Sequence, residues 1–396
     1  MSYHNYHIKL VIILTRMTEY GDHSRMKNYS NDRSDMYEFT GDVRLQGSRT
    51  TIFIGSPIDN NIPHEIKPYA RKYDRSSLVA ISSIQIKAAP PEKLPVCRKT
   101  LDVPGILFST GGYTHNYFHS ITDVMVPLFA TSQRFNRNVI FLVTNHNASR
   151  FTTEHRKTLE SLSRHEVVDI DIENRTLCFT NMIVGLKAHP FDLSIDPSPF
   201  SSLSTRNLTR LLRSIYSLKR DSVGDHNRPR LLVVSRKRKR RLANEVQLVE
   251  LARELGFDYV LQDLGDHLES AAKIVNSIDV LVGVHGAGLT NMVFLPENAI
   301  VIQIIPLGMT DNARGMFGAN PEEMKLKYLD YIITPNESSL LGKFPNNSLI
   351  YTNSTQYCEN IGPQDCYNIF YQLQDVKLDL ARFKDTLLKA LDIMAA

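Results

Sequence analysis

The chain has 396 residues, 42% of them hydrophobic, which is enough for two ordinary domains and a sizeable core. A formal charge of +4 is small for this length and argues against a global basic field of the kind that binds nucleic acid. No segment reaches the roughly 18 apolar residues that span a bilayer; the best candidate, Ile8 to Leu14, is broken by Lys9 and is followed by no small-residue cleavage site.

In chain order, residues 1–36 are polar and tyrosine-rich without periodicity, and are expected to form a mobile leader. Short runs at Val43–Leu45, Thr51–Ile54, Leu78–Ile81 and Ile84–Ile86 read as strands, closed by Pro90 and Pro91. Gly105–Ser109 (strand), Thr122–Phe129 (helix), Val139–Thr144 (strand) and a helix over 152–163 then alternate as α/β layers do. The single tempting DxD, Asp169-Ile-Asp171, lies in an alternating strand-like run and is expected to be structural, so no metal site is expected.

Within this first half, the strand at 105–109 runs into Gly111, Gly112, Asn116, His119 and Asp123. The glycines would lie at the strand's carboxyl end, with the polar side chains facing a cleft. In a helix begun by Asn116, Asn116 and His119 stand three apart and His119 and Asp123 four apart, on one face. A carboxylate bonded to one imidazole nitrogen fixes the tautomer and leaves the other nitrogen to accept a proton. The same spacing also suits a buried pair that only ties helix to strand.

A helix over 204–218 is followed by the polar, breaker-rich segment 219–229, read as an interdomain linker. A second alternating set follows: strand 231–235, helix 244–255, strand 258–261, helix 267–277, strand 280–284, helix 288–292 and strand 300–305. Immediately after the first of these strands come six consecutive basic residues, Arg236 to Arg241. They read as a solvated loop, a nuclear-import patch or a phosphate clamp, and a cleft has room for only one or two of them.

The apolar runs 280–284 and 300–305 are short and β-branched, as in strands buried on both faces. Between them His285, Gly286, Ala287 and Gly288 let the backbone approach a ligand, and Leu289 to Met292 can open a helix whose free N–H groups attract a diphosphate. Glycine-rich turns of this kind also occur where nothing binds. An amphipathic helix over about 376–394 could cross back and brace the first half.

The pattern therefore predicts an α/β protein with two facing Rossmann-like lobes and a cleft between them: 37–218, the linker 219–229, 230–375, and a bracing helix over 376–396. Four cysteines (Cys97, Cys178, Cys358, Cys366) permit two disulfides; Cys358 and Cys366 enclose a loop that suits a local bridge, and free buried cysteines fit as well. Asn28, Asn147, Asn174, Asn207, Asn336, Asn346 and Asn353 are glycosylation sequons, seven where composition predicts about four by chance.

Three segments in order resemble glycosyltransferase family 61, especially its plant xylan-decorating members. They are Gly111-Gly-Tyr-Thr-x-Asn-Tyr-Phe-His119-x-x-x-Asp123, Ser235-Arg236-x-x-x-Arg240-x-x-x-Asn244-Glu245, and the segment from Asn276 through His285-Gly-Ala-Gly288 to Asn291. The likeness runs from about Gly41 to the C-terminal helix and includes Glu337-Ser-Ser-Leu340. It implies a GT-B pair of lobes, with an acceptor-side N-terminal lobe and a nucleotide-sugar-binding C-terminal lobe. It also implies a Golgi enzyme of type II topology, lumenal, with residues 1–36 a remnant of the stem and the membrane anchor missing from this chain, as in a truncated gene model, a domain fragment or a divergent copy.

The implied reaction is transfer of a pentose, arabinofuranose or xylose, with inversion from a UDP-sugar to a xylan-type polysaccharide; animal members add N-acetylglucosamine to glycoproteins. No cofactor is implied beyond the UDP-sugar donor substrate. By position, Ser235, Arg236, Arg240, His285, Gly286, Ala287, Gly288 and Asn291 would hold the nucleotide diphosphate, and Glu337 the nucleotide ribose or the sugar. His119, oriented by Asp123, would be the base. The chain departs from the family pattern at His115 (usually Gly) and Ser120 (usually Asp), and Tyr37 stands at a usual cysteine, which leaves Cys97 without that partner. The other classes weighed are a non-catalytic nucleotide-sugar-binding paralogue and a nuclear protein using Arg236–Arg241; the small charge and the lack of interleaved aromatics oppose the latter.

Overall fold

The computed structural model describes residues 25–55, 63–195, 203–224, 228–265 and 267–395. Residues 1–24, with the Ile8–Leu14 run, lie outside them. The contacts divide the chain into two compact units interleaved in sequence: Met1–Gly112, Ser132–Ser149 and Leu162–Lys187 form one, and Tyr113–Thr131, Arg150–Ser161 and Ala188–Ala396 the other.

The first unit is built on a ten-stranded mixed sheet. Its strands are β1 (Arg25–Asn28), β2 (Tyr37–Gln46), β3 (Thr51–Gly55), β4 (Glu65–Ile66), β5 (Ile84–Ala89), β6 (Lys99–Leu101), β7 (Gly105–Ser109), β8 (Ile140–Thr144), β9 (Val168–Asp169) and β10 (Thr176–Val184). The order is β4-β5-β3-β2-β10-β7-β8-β9, with β1 on β2 and β6 on β10. This unit is mixed, where a Rossmann-like parallel sheet was expected. The short 3-10 turn Gly47–Arg49 between β2 and β3 forces an antiparallel pair, because a parallel one needs a long crossover. Part of the expected leader is ordered as well: β1 pairs antiparallel with β2, Arg25 opposite Thr40.

The strand expected at Leu78–Ile81 is absent. Asp74 instead caps a short helix, Arg75–Leu78, with its carboxylate accepting from Ser77 N–H, so a local hydrogen bond overrides the apolar run. Cys97 is paired after all, with Cys178 of β10, the strand on which β6 lies. The carboxylates of the DxD are engaged locally: Asp171 accepts from Thr144 Oγ1 at 2.8 Å, and Asp169 accepts from the Asp171 N–H at 3.0 Å.

The second unit carries a five-stranded, wholly parallel sheet: β11 (Arg230–Val234), β12 (Asp258–Gln262), β13 (Val280–Val284), β14 (Ile300–Ile305) and β15 (Lys327–Ile332), in the order β12-β11-β13-β14-β15. Helices Glu245–Glu254 and Leu268–Asn276 make the crossovers, and β11, β13 and β14 are apolar almost throughout because both faces are covered. Helix Leu380–Ala395, expected to brace two lobes, covers this sheet, its Phe383, Leu387 and Ala390 sharing a core with Leu248, Val249 and Tyr331. Residues 220–223 of the expected linker are tied to the same unit. Arg220 pairs with Asp279, and Val223 N–H donates to the Glu297 carbonyl at 2.8 Å. Glu297 in turn gathers Arg206, Arg210 and Arg213 of helix Thr205–Ile215, and Arg206 and Arg210 hold its carboxyl down at about 2.

Candidate active site

Strand order places the candidate chemistry. From β11 the chain crosses to β12 on one side and then returns to β13 on the other, so the carboxyl ends of β11 and β13 flank a topological switch point, where parallel sheets open a crevice. Ser235 and Arg236 leave the end of β11, and His285 and Gly286 leave the end of its neighbour β13. The helix expected at 288–292 is a 3-10 helix, Ala287–Phe294.

Of the six consecutive cations, two turn inward. Arg236 Nε donates to the Lys239 carbonyl at 3.0 Å, and Arg240, at φ +50°, donates from Nη1 to the His285 carbonyl at 2.8 Å. Burial pushes both guanidinium groups down from their ordinary value, Arg240 to about 10 with the repulsion of Arg236 added. Neither forms an ion pair among the described residues, and Arg240 Nε is buried without a partner. The other four are solvated or paired elsewhere, Lys237 with Asp263 and Arg241 with Asp375.

Gly286 explains how the arginines fit. Its φ of +149° belongs to a region that only glycine enters readily, and a Cβ there would run into the Arg236 guanidinium. A Cβ on Gly288 would press to 2.9 Å from Val234 Cγ1, so this glycine lets the turn lie close on β11. Ser235 Oγ donates to the Glu245 carboxylate at 2.9 Å. Asn291 is buried, gives its Nδ2 to the Gly288 carbonyl at 3.0 Å, and keeps an Oδ1 with no partner among the described residues.

His285 is buried, and burial together with Arg240 and Arg236 pushes its pKa down to about 3. It is neutral, with Nδ1 2.7 Å from Gln303 Nε2. Gln303 is the one polar residue of β14 and is fully buried.

The proposed base belongs to the same unit. A helical segment runs through Tyr117–His119, a π-helical stretch Ser120–Met125 and Val126–Ser132. His119 Nδ1 lies 2.9 Å from Asp123 Oδ2, and Asp123 is fully buried and also accepts from Thr122 Oγ1 at 3.0 Å. The carboxylate holds the Nδ1–H tautomer and leaves Nε2 as the acceptor. Tyr117–His119 packs on Ala287–Phe294. Phe317 lies between the two histidine segments, its ring 5.2 Å from Phe118 and 5.6 Å from His285.

A cavity of about 860 Å³, within the usual size of a ligand pocket, is lined by Ser235, Arg236, Ala287, Gly288 and Asn291. Arg240, His285, Gly286, His119 and Asp123 are not in its lining; Gly286 lies against Arg236, and Arg240 bonds the His285 carbonyl. Asn116 does not join His119 and Asp123: it caps its own helix, accepting from Phe118 N–H at 3.0 Å. Gly111 and Gly112 form the turn after β7, packed on the Ala80 carbonyl and the Tyr69 ring, and Gly112 has φ +59°. Glu337 is not in the cavity. Its buried carboxylate is taken up by Tyr331 OH, Thr334, the Asp379 N–H and Arg382, leaving no lone pair for a ligand.

The cavity also includes His115 and Tyr117, which lie inside the first motif but have no role assigned there, and His155, which lies outside every motif. His155 is buried, which lowers its pKa to about 4, and its Nε2 is 3.3 Å from Ser120 Oγ. Ser120 spends its proton on the Tyr117 carbonyl, so the imidazole is the donor in that bond.

Residues 117–302, which include both histidines and the arginines, match the model of Glycosyltransferase 61. The chain is 39% identical over 376 residues to Alpha-1,3-arabinosyltransferase XAT3 of Oryza sativa subsp. japonica, covering 92% of this chain and 64% of that protein. It is 34% identical over 393 residues to Beta-1,2-xylosyltransferase XYXT1 of the same species, 93% of this chain and 84% of that protein. The chain belongs to glycosyltransferase family 61. Xylan glycosyltransferase MUCI21 of Arabidopsis thaliana, another relative, is 33% identical over 384 residues, 90% of this chain and 77% of that protein. The family 61 chain thus spans somewhat under two thirds of the length of the arabinosyltransferase it resembles.

Proposed function

We propose that this family 61 protein is an inverting glycosyltransferase that moves a pentose, arabinofuranose or xylose, from a UDP-sugar to a xylan-type polysaccharide. The observation that carries the reading is the pairing, in one compact unit, of two half-buried arginines without carboxylate partners among the described residues and a histidine whose Nδ1 is held by a buried carboxylate. Names of relatives such as arabinosyltransferase, xylosyltransferase and xylan glycosyltransferase support the pentose and the acceptor.

In this reading His119 Nε2 takes the proton of the acceptor hydroxyl as its oxygen attacks the anomeric carbon, and the carbon–oxygen bond to the diphosphate breaks on the opposite face. The leaving diphosphate meets Arg236 and Arg240, planar forks suited to phosphate, and the N–H groups of the Gly286–Gly288 turn. These cations supply the charge, so the reading calls for no metal. Seven exposed sequon asparagines and two disulfides support passage through an oxidising, glycosylating compartment, and a lumenal Golgi site completes the reading, as does a GT-B arrangement. No helix of the described residues is long and apolar enough to cross a membrane.

Calorimetry with a panel of nucleotide sugars, followed by linkage analysis of products on xylan oligosaccharides, tests the proposal. Binding of UDP-pentoses and a new inverted pentosyl linkage are expected. Nucleotide binding without transfer from any pentose donor would instead mark a non-catalytic member.

A further inference from the structure

Two histidines of this unit stand in opposite hydrogen-bonding environments. His119 faces a carboxylate through Nδ1, whereas His285 faces a side-chain amide through Nδ1. The orientation of that amide is settled by its surroundings. Gln303 Nε2 lies 3.3 Å from the Ala313 carbonyl, which can only accept, and Gln303 Oε1 lies 2.6 Å from the Tyr328 hydroxyl, which donates. One amide proton therefore goes to Ala313 and the other to His285 Nδ1, which must carry a lone pair. The imidazole proton is then on Nε2, which has no hydrogen-bond partner among the described residues.

We infer that Gln303, backed by Tyr328, is a positioning residue that locks His285 as the Nε2–H tautomer, so that this histidine donates a hydrogen bond to the departing diphosphate and is barred from acting as a base. The inference rests on the diphosphate reading of the cavity. It divides the labour between the histidines by their partners: a carboxylate makes His119 an acceptor toward the substrate, and an amide makes His285 a donor. Burial, with the two arginines nearby, keeps His285 uncharged, so its contribution is a fixed dipole rather than a third positive charge. It also explains a polar side chain in the middle of β14, where an unpaired amide would be costly.

The tautomer is measured first, in the free wild-type protein, from the imidazole ¹⁵N shifts of His285. Nε2 protonated and Nδ1 bare is expected; Nδ1 protonated overturns the inference whatever the protein binds. Gln303→Glu then puts an acceptor against Nδ1 and should move the proton onto it, lowering transfer about tenfold or more while the acceptor KM stays in place. Tyr328→Phe, a milder change that keeps the ring, should loosen the amide and give a smaller loss. If the wild type binds UDP and transfers sugar while both variants keep the wild-type shifts and turnover, Gln303 has no positioning role. If the wild type binds no UDP yet shows the Nε2–H tautomer, the diphosphate reading fails and the lock itself stands.

Discussion

At the scale of single residues, the site is a contrast between cations that have partners and cations that do not. Arg241 is paired with Asp375 and Arg206 with Glu297, but Arg236 and Arg240 lie half-buried beside each other and, among the described residues, donate only to carbonyls. Holding like charges together in a poorly solvated place is unfavourable, and an anion removes the penalty. Arg240→Ala is therefore expected to weaken UDP binding by about 1.5–3 kcal/mol, the worth of a hydrogen bond to a charged group. Arg240→Lys should restore little, because lysine lacks the planar fork. Calorimetry checks both, and UDP affinity equal to wild type in Arg240→Ala would remove Arg240 from the site. Glu337 teaches the reverse lesson: a conspicuous acid in a recognisable motif is, in three dimensions, a saturated structural carboxylate.

At the scale of elements, the parallel sheet was largely legible. β11, β13 and β14 stand within a residue of where short β-branched runs put them, because strands buried on both faces have little choice of composition. The first unit was less so: its short antiparallel edges and the Asp74-capped helix depend on local turns and caps that apolar runs do not reveal. In the site, the His119–Asp123 contact follows from spacing, Arg236 and Arg240 follow only from the family resemblance, and the glycines of the turn after β13, expected to let the backbone approach a ligand, let it lie close on Arg236 and Val234. His155 was missed because it lies on a separate helical segment with no motif, and Gln303 because it sits inside an apolar run. A lone polar residue in a doubly buried strand needs a partner, and that signal could have marked it. The turn itself is testable. Gly286→Ala places a Cβ against Arg236 and demands φ near +149°, so it should cost roughly 1–3 kcal/mol of stability and most of the UDP affinity. Thermal melting and calorimetry check this, and an alanine variant that binds UDP normally would show that Arg236 is not where the diphosphate goes.

At the scale of the whole molecule, the same buried histidines set a pH dependence of folding. His285 and His155 are pushed down to about 3 and about 4 from an ordinary 6.5, so both stay neutral in the fold, while the unfolded chain takes up protons below 6.5. Their contribution is therefore present in full above 6.5 and is lost as pH falls toward 4 and then 3. Carboxylates such as Glu297, whose ordinary value is 4.5, act below that window, so a decline in Tm between 6.5 and 4.5 reports the histidines. His155→Leu should flatten it in part, and an unchanged slope would show that His155 is not buried neutral. The two disulfides, Cys97–Cys178 in one unit and Cys358–Cys366 in the other, give each unit its own cross-link.

The central claim, that one compact unit joins a diphosphate-binding turn to an opposing base, is tested most directly by comparing the wild type with His119→Ala for UDP binding and pentosyl transfer side by side. UDP affinity is expected to hold while turnover falls by about 100-fold or more, the usual worth of a positioned general base. Turnover at the wild-type rate in His119→Ala, with binding intact, would contradict it.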